Sequence, residues 1–450
     1  MENNYLLKYS VRGIKSLEKE FTLSFYKNTI SKPFEAKGYN VKGIYGPNGS
    51  GKTGVVSSVK ILKNIIVDNT YLNNRLTQMK LQELVNKKAN ELEYDVEYLT
   101  LLNEKSIVYR YQLLLGKDSL GKYVIQREVL SKRMANSHNS TFSEIFRVSN
   151  GELIIADKKG EYSDLIQEKS KNLLSDASLS SVFIYKIFSE IKGDYLKDSL
   201  VKSLIFQYFF ADNIYVFLDA EDDHTAFVFS KAERKSNDSE DMSLFEAFYK
   251  HINFTVGRNN CVLRPQKMRV PKDQYVFFAK QVEGLRDFLK VFKTELKDIS
   301  IEGKEDQEYI NCELIMNYKG YEINSEFEST GIKKLITLYS YFEKMMEGGI
   351  VFIDEMDSNL HDVYLCALIE FLMEHAKGQI CFTTHNIGPM DVLKKNKKSI
   401  DFLSFDGNIY PWVKNGNYSP SNLYREGMIE GSPFNIDSFD FLRAFGGEED

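Results

Sequence analysis

Gly46-Pro47-Asn48-Gly49-Ser50-Gly51-Lys52-Thr53 fits the pattern G-x-x-x-x-G-K-[ST] in full. Each fixed position has a physical task. The glycines let the backbone turn its N–H groups inward around phosphate oxygens, and a helix starting there adds its positive end. A lysine at the place of Lys52 reaches the β- and γ-phosphates, and a hydroxyl at the place of Thr53 ligates Mg²⁺. The chemistry implied is the binding of a nucleoside triphosphate with its metal. All eight residues, Gly46, Pro47, Asn48, Gly49, Ser50, Gly51, Lys52 and Thr53, are therefore candidate ligands.

A second constellation lies far downstream. Ile350-Val351-Phe352-Ile353-Asp354-Glu355 is an apolar run that ends in two acids. Successive side chains on a strand diverge. Asp354 is thus expected to hold a water of the Mg²⁺ shell while Glu355 faces the attacking water. Phosphoryl transfer needs that division between charge neutralisation and an oriented nucleophile. His385, in Thr383-Thr384-His385-Asn386, ends the next apolar run, where a strand's carboxyl end suits contact with a γ-phosphate. The catalytic candidates are Glu355, Lys52 and His385; the metal candidates are Thr53 and Asp354. Ser329 opens Ser329-Thr330-Gly331-Ile332-Lys333-Lys334-Leu335 and reads equally as a helix N-cap. Asp357 reads equally as a plain turn residue.

These residues need rigid elements behind them. Tyr39 to Tyr45 reads as a short strand feeding the loop, and a helix of about fifteen residues is expected from Thr53. Upstream, Leu6 to Phe25 reads as two strands around a turn at Gly13, with Phe21 and Phe25 on one face. Leu92–Leu101, Ser106–Leu115 and Tyr123–Leu130 suggest an antiparallel lobe, with a turn at Asn103-Glu104-Lys105. From Ser163 to Lys250 the pattern is mostly helical, with core aromatics such as Phe206-Gln207-Tyr208-Phe209-Phe210 and a polar connection at Lys231–Ser243. After Gln281 a helix leads into strands Tyr309–Asn317 and Tyr321–Phe327. Strand Ile350–Ile353, a helix from His361 to His375 and strand Gln379–Thr383 then alternate as in a buried parallel sheet. The last 30 residues or so, with Pro420, Pro433 and Gly446-Gly447, are expected to form a poorly ordered or partner-docking tail.

The bulk numbers exclude some classes. At 450 residues, 43% hydrophobic and 27% charged, the chain is ordinary globular material of two or three units. A net charge of −6 argues against a nucleic-acid coat, and Lys394-Lys395-Asn396-Lys397-Lys398 reads as a solvated helix end or loop. Cys261, Cys312, Cys366 and Cys381 show no paired spacing, so no zinc site or disulfide framework is expected. No run approaches the roughly 18 apolar residues of a membrane span. The opening Met1-Glu2-Asn3-Asn4-Tyr5 lacks the marks of a secretory signal. A cytoplasmic protein without membrane partners is the expectation.

The order of phosphate loop, long insertion, S-x-G-x-x-x-L, apolar strand with Asp-Glu, following aspartate and Thr-His resembles the ABC-type ATPases of the SMC/RecF branch. The resemblance implies an α/β fold, a P-loop ABC-type ATPase head with an antiparallel β-lobe and an inserted helical domain. It implies ATP and Mg²⁺ as cofactors and a homodimer or higher homo-oligomer that sandwiches ATP between heads. Ser329 and Gly331 would match the signature that completes the opposite subunit's site, although the usual form is L-S-G-G-Q. Asp357 would match the D-loop and His385 the switch histidine; Gln78 is the candidate for the Q-loop glutamine. Within the branch, Val11-Arg12-Gly13-Ile14-Lys15-Ser16-Leu17, Tyr109-Arg110-Tyr111, Arg127-Glu128-Val129-Leu130, Tyr424-Arg425-Glu426-Gly427 and Gly431-Ser432-Pro433-Phe434 are similar to phrases of the AbiL, RloA and OLD-like group.

Four segments are expected: 1–160, the first half of the ATPase; 161–280, a helical insertion; 281–410, the second half; and 411–450, the tail. Two readings of the output stay open. One is an ATP-hydrolysing sensor or scaffold in anti-phage abortive infection, controlling a separate nuclease or toxin, with DNA or a phage protein as a further candidate partner. The other is a RecF/SMC-like ATPase of DNA repair or recombination.

Overall fold

A computed structural model of the chain describes residues 4–27, 29–30, 34–102, 105–135, 141–156, 160–193, 195–218, 262–413, 418–430 and 432. Cys261, the polar connection at Lys231–Ser243, and the tail from Pro433 through Gly446-Gly447 lie outside them. The chain divides into two compact units: Met1–Leu218 with Glu347–Asp357 and Leu365–Asp450, and Asp219–Met346 with Ser358–Tyr364.

The first unit is built on a six-stranded sheet in the order Ile409–Pro411, Ile400–Leu403, Val41–Tyr45, Gln379–Thr383, Ile350–Ile353, Ile214–Phe217. All neighbours pair in parallel except Ile409–Pro411 on Ile400–Leu403. The strands Val41–Tyr45, Ile350–Ile353 and Gln379–Thr383 are buried at every position. That is why they read as unbroken apolar runs and not as alternating ones. Parallel pairing gathers Tyr45, Ile353 and Thr383 at one end of the sheet, so whatever follows them in sequence meets there.

Ile214–Phe217 corrects the helical expectation for its region. It pairs in parallel with Ile350–Ile353, and the Asp354 N–H donates to Phe217 O at 3.0 Å. The preceding helix Ser199–Asp212 is apolar around most of its circumference and runs into the strand across Asn213 alone. A buried strand after a buried helix leaves no change of period to detect.

An antiparallel sheet of seven strands forms the lobe, in the order Phe21–Ser24, Asn4–Arg12, Leu92–Leu102, Lys105–Lys117, Tyr123–Met134, Ser143–Ser149, Glu152–Ile155. Phe21 and Phe25 are both buried, as their spacing requires. The turn at Gly13 needs glycine: φ is 85°, and a Cβ there would stand 2.0 Å from Glu91 O. Two ties fix the lobe to the phosphate-loop sheet. The Gln379 amide, 4% exposed, accepts from Leu6 N at 2.7 Å and donates to Leu6 O at 3.0 Å. Tyr9 Oη and Ser58 Oγ are 2.7 Å apart, and the Tyr94 hydroxyl donates to Ser58 O at 2.9 Å. Ser58 lies on the helix Lys52–Val67 that follows the phosphate loop.

Within the described tail, the helix Pro420–Arg425 packs on the unit's own core. Tyr424 stacks on Phe402 with ring centroids 5.5 Å apart, and Asp391 accepts from the Ser419 and Ser421 hydroxyls at 2.5 and 2.6 Å. This stretch is therefore ordered by its own chain, contrary to the expectation of a loose tail.

The second unit carries an antiparallel sheet of Met268–Pro271, Tyr309–Tyr318 and Leu296–Asp306, with Glu322–Asn324 also on Tyr309–Tyr318. Helices Tyr275–Phe292 and Thr330–Glu347 close its core through Leu285, Leu289, Leu314, Met316, Leu335 and Ile336. Leu296–Asp306 was not anticipated, since Leu296 and Ile299 are its only buried residues. The expected strand Tyr321–Phe327 shortens to three residues and a 3₁₀ turn at Ser325–Phe327.

Candidate functional site

The phosphate loop leaves strand Val41–Tyr45 and ends at helix Lys52–Val67. Gly46 passes so close to its neighbour strand that a Cβ would lie 2.3 Å from Leu403 O. Gly51 has φ 107°, and Leu17 fills the space its side chain would need, at 2.8 Å. No side chain caps the helix, so its first-turn N–H groups are left for an anion. Lys52 folds back onto the loop, donating to Gly46 O at 2.7 Å and Pro47 O at 3.0 Å. Burial pushes the Lys52 ammonium pKa down, and the charges of Asp354, Glu355 and Asp357 oppose that shift. The hydroxyl of Ser50 is buried with no hydrogen-bond partner among the described residues. A buried polar atom of this kind costs stability unless something arrives to satisfy it.

Two strands away, the acids diverge as expected. Asp354 is buried and Glu355 exposed. Thr383 connects them: its hydroxyl donates to Asp354 Oδ1 at 2.6 Å and accepts from the Glu355 N–H at 2.8 Å. Glu355 has φ 48°, a left-handed conformation that is strained for a non-glycine residue and of the kind that gathers at functional sites. Asp357 Oδ2 accepts from the N–H groups of His385 at 3.2 Å and Asn386 at 3.1 Å, while its Oδ1 is buried without a partner. Although His385 is exposed, the desolvation it undergoes, then the charge of Lys52, pushes its pKa down, against the pull of Asp357, Glu355 and Asp354.

The first unit thus brings together Lys52, Asp354, Glu355, Asp357 and His385 as one electrostatic group. Thr53, half-buried, stands on the first turn of the loop helix. Ser329 and Gly331 belong to the second unit. There Ser329 Oγ accepts from Ile332 N at 3.4 Å as a helix N-cap, and a Cβ on Gly331 would meet Asn359 O at 2.5 Å. Gln78, the candidate for the Q-loop glutamine, has its side chain engaged by backbone groups. Its amide donates to Leu72 O and Tyr123 O and accepts from Tyr123 N, all at 2.7–3.0 Å. Sequence reasoning missed Thr383 as the connector of the acids, because strand register sets that contact and no local pattern encodes it. Among the described residues no cluster of three His, Cys, Asp or Glu side chains could hold a metal unaided. The buried, partnerless Ser50 hydroxyl and the uncapped helix instead fit a metal that arrives on a polyphosphate. No helix among the described residues is long and apolar enough to cross a membrane.

Residues 272–391 match a family described as "AAA domain, putative AbiEii toxin, Type IV TA system". No curated protein matches the chain. Among solved structures, an SMC head bound to the C-terminal winged-helix domain of ScpA is 14% identical, with TM-score 0.43, covering 92% of this chain and 98% of its own. An Smc head with a coiled coil and joint derived from Pyrococcus yayanosii is 13% identical, with TM-score 0.43, covering 95% and 100%. The recombination mediator RecF of the RecFOR pathway is 12% identical, with TM-score 0.38, covering 91% and 99%. The fold class is mixed α/β: a mostly parallel six-stranded sheet that carries the phosphate loop, beside an antiparallel lobe.

Proposed function

We propose that the chain binds ATP with Mg²⁺, hydrolyses it slowly, and uses the cycle to control a separate effector in an anti-phage, abortive-infection type of defence. One observation carries the catalytic part: the self-held Lys52 and the partnerless Ser50 hydroxyl in a glycine loop share a charge field with the Asp354–Glu355 pair. Lys52 exchanges two backbone carbonyls for phosphate oxygens, while the loop N–H groups and the helix N-terminus hold the rest of the chain of phosphates. Thr53 and Asp354 are the residues that would hold Mg²⁺, which when bound neutralises phosphate charge. Glu355, displayed by its left-handed backbone, orients water, and His385 offers an N–H to a terminal phosphate oxygen. Ser329 and Gly331 act across a head-to-tail homodimer, on the ATP of the opposite copy.

The defence assignment is supported by the toxin–antitoxin description of the family matched at residues 272–391. The test is turnover of Mg·ATP by the purified chain, followed by capture of a co-encoded nuclease or toxin. Wild type should hydrolyse ATP and hold the effector according to nucleotide state, and Lys52→Ala should lose nucleotide binding. Tight ATP-dependent binding to gapped DNA with no protein effector would move the function to repair. Absence of ATP binding by wild type would overturn the catalytic part.

A further inference from the structure

Glu328 stands immediately before Ser329 and is 7% exposed. A carboxyl group so placed is costly unless its oxygens are satisfied. Here three donors reach it: the Tyr318 hydroxyl on Oε1, and on Oε2 both Lys293 Nζ and the Ser329 N–H, each at 3.2 Å. Lys293 Nζ also lies 4.5 Å from the centroid of the Tyr318 ring, and Tyr318 stacks on Tyr321 at 4.9 Å. The carboxyl group therefore ties a strand residue and a helix-end lysine to the peptide that starts helix Thr330–Glu347.

That peptide sets the direction of the serine. With its N–H held by Glu328 and its Oγ accepting from Ile332 N, Ser329 still has its O–H proton to donate. From the other side, Asn359 O leaves no room for a side chain at Gly331, since a Cβ there would lie 2.5 Å from it. A purely structural ion pair of Lys293 and Glu328 would not need the Ser329 N–H at all. A carboxyl group beside a turn meant for phosphate would also repel it, and Lys293 supplies the compensating charge.

We infer that Glu328, with Lys293 as its counter-charge, is a positioning residue that aims the Ser329 hydroxyl at a terminal phosphate held by a second copy of the chain. The inference rests on the ATPase reading above. Glu328→Ala should lower kcat on the order of 10-fold or more, leaving the affinity of the variant's own phosphate loop for a fluorescent ATP analogue within about 2-fold. Glu328→Gln, which keeps an acceptor for the Ser329 N–H, should fall between Glu328→Ala and wild type. Mixing Glu328→Ala with Lys52→Ala should restore turnover, since one shared site would then combine an intact loop with an intact signature turn. Misfolded protein would not complement in this way. Should Glu328→Ala fail to fold, Glu328→Gln carries the same comparison. Turnover by the Glu328 variants within 2-fold of wild type, or loss of nucleotide affinity in parallel with turnover, would overturn the inference while leaving the ATPase reading intact. Absence of hydrolysis by wild type would sink both.

Discussion

The two turns that carry the polar chemistry differ in how fully they are satisfied. In the first unit, Ser50 Oγ and Asp357 Oδ1 are buried without partners, and Lys52 rests on carbonyl groups that any phosphate would replace. In the second unit, the turn at Ser329 is closely satisfied: Glu328 receives three donors and Ser329 Oγ accepts as its helix cap, which leaves only the serine O–H to donate. Unsatisfied groups mark a place that waits for a ligand and gains stability from it. A closely satisfied turn marks a rigid presenter, built to meet a ligand that something else holds. The contrast predicts that changes in the phosphate loop alter nucleotide affinity, and changes at the Ser329 turn alter folding or turnover.

Two glycines sharpen that contrast. Gly331 faces a backbone oxygen at 2.5 Å, which cannot give way cheaply, so Gly331→Ala should destabilise the second unit by about 1–3 kcal/mol. Thermal unfolding should shift down by several degrees, while ATP affinity of the variant's own loop stays near wild type. Gly49 has open space around it and φ 80°. Gly49→Ala should therefore cost only about 1–2 kcal/mol of backbone strain, read mainly as weaker ATP binding. Unchanged ATP affinity in Gly49→Ala, or weakened affinity of the variant's own loop in Gly331→Ala, would break the comparison.

A smaller effect tests the lobe behind the loop. Glu128 is fully buried, accepting from Tyr111 Oη at 2.9 Å and Leu179 N at 3.0 Å, and burial raises its pKa from 4.5 to about 7. Between pH 4.5 and about 7 the folded chain keeps a proton that the unfolded chain has lost. Its contribution to stability thus falls as pH rises through that window and stays low above it. Wild type should lose melting temperature between pH 5.5 and 8 relative to Glu128→Gln, by the equivalent of up to about 2 kcal/mol. Parallel pH profiles for the two proteins would show that Glu128 does not titrate there.

Legibility in the sequence followed locality. The loop Gly46 to Thr53 sits between a strand and a helix, as its residues demand, because strand, turn and helix cap are contiguous. Gln379–Thr383 matches its expected bounds because a short apolar run between polar residues leaves little freedom. Ile214–Phe217 stayed hidden because its partner is Ile350–Ile353, far along the chain, and nothing local separates it from the apolar helix before it. Thr383 and Glu328 looked ordinary for the same reason: each acquires its role from a partner set by tertiary packing. The helix Pro420–Arg425 was obscured by prolines and polar residues, which signalled a tail where Tyr424 in fact supplies the anchor.

In the proposed reaction Glu355 orients the attacking water while Lys52 and the loop hold ATP. Single-turnover hydrolysis of Mg·ATP by Glu355→Gln, measured beside its ATP affinity, tests this most directly. The expected result is affinity close to wild type, hydrolysis slower on the order of 10²-fold or more, and an ATP-trapped head-to-tail dimer in sedimentation. Hydrolysis by Glu355→Gln at a rate comparable to wild type would contradict it.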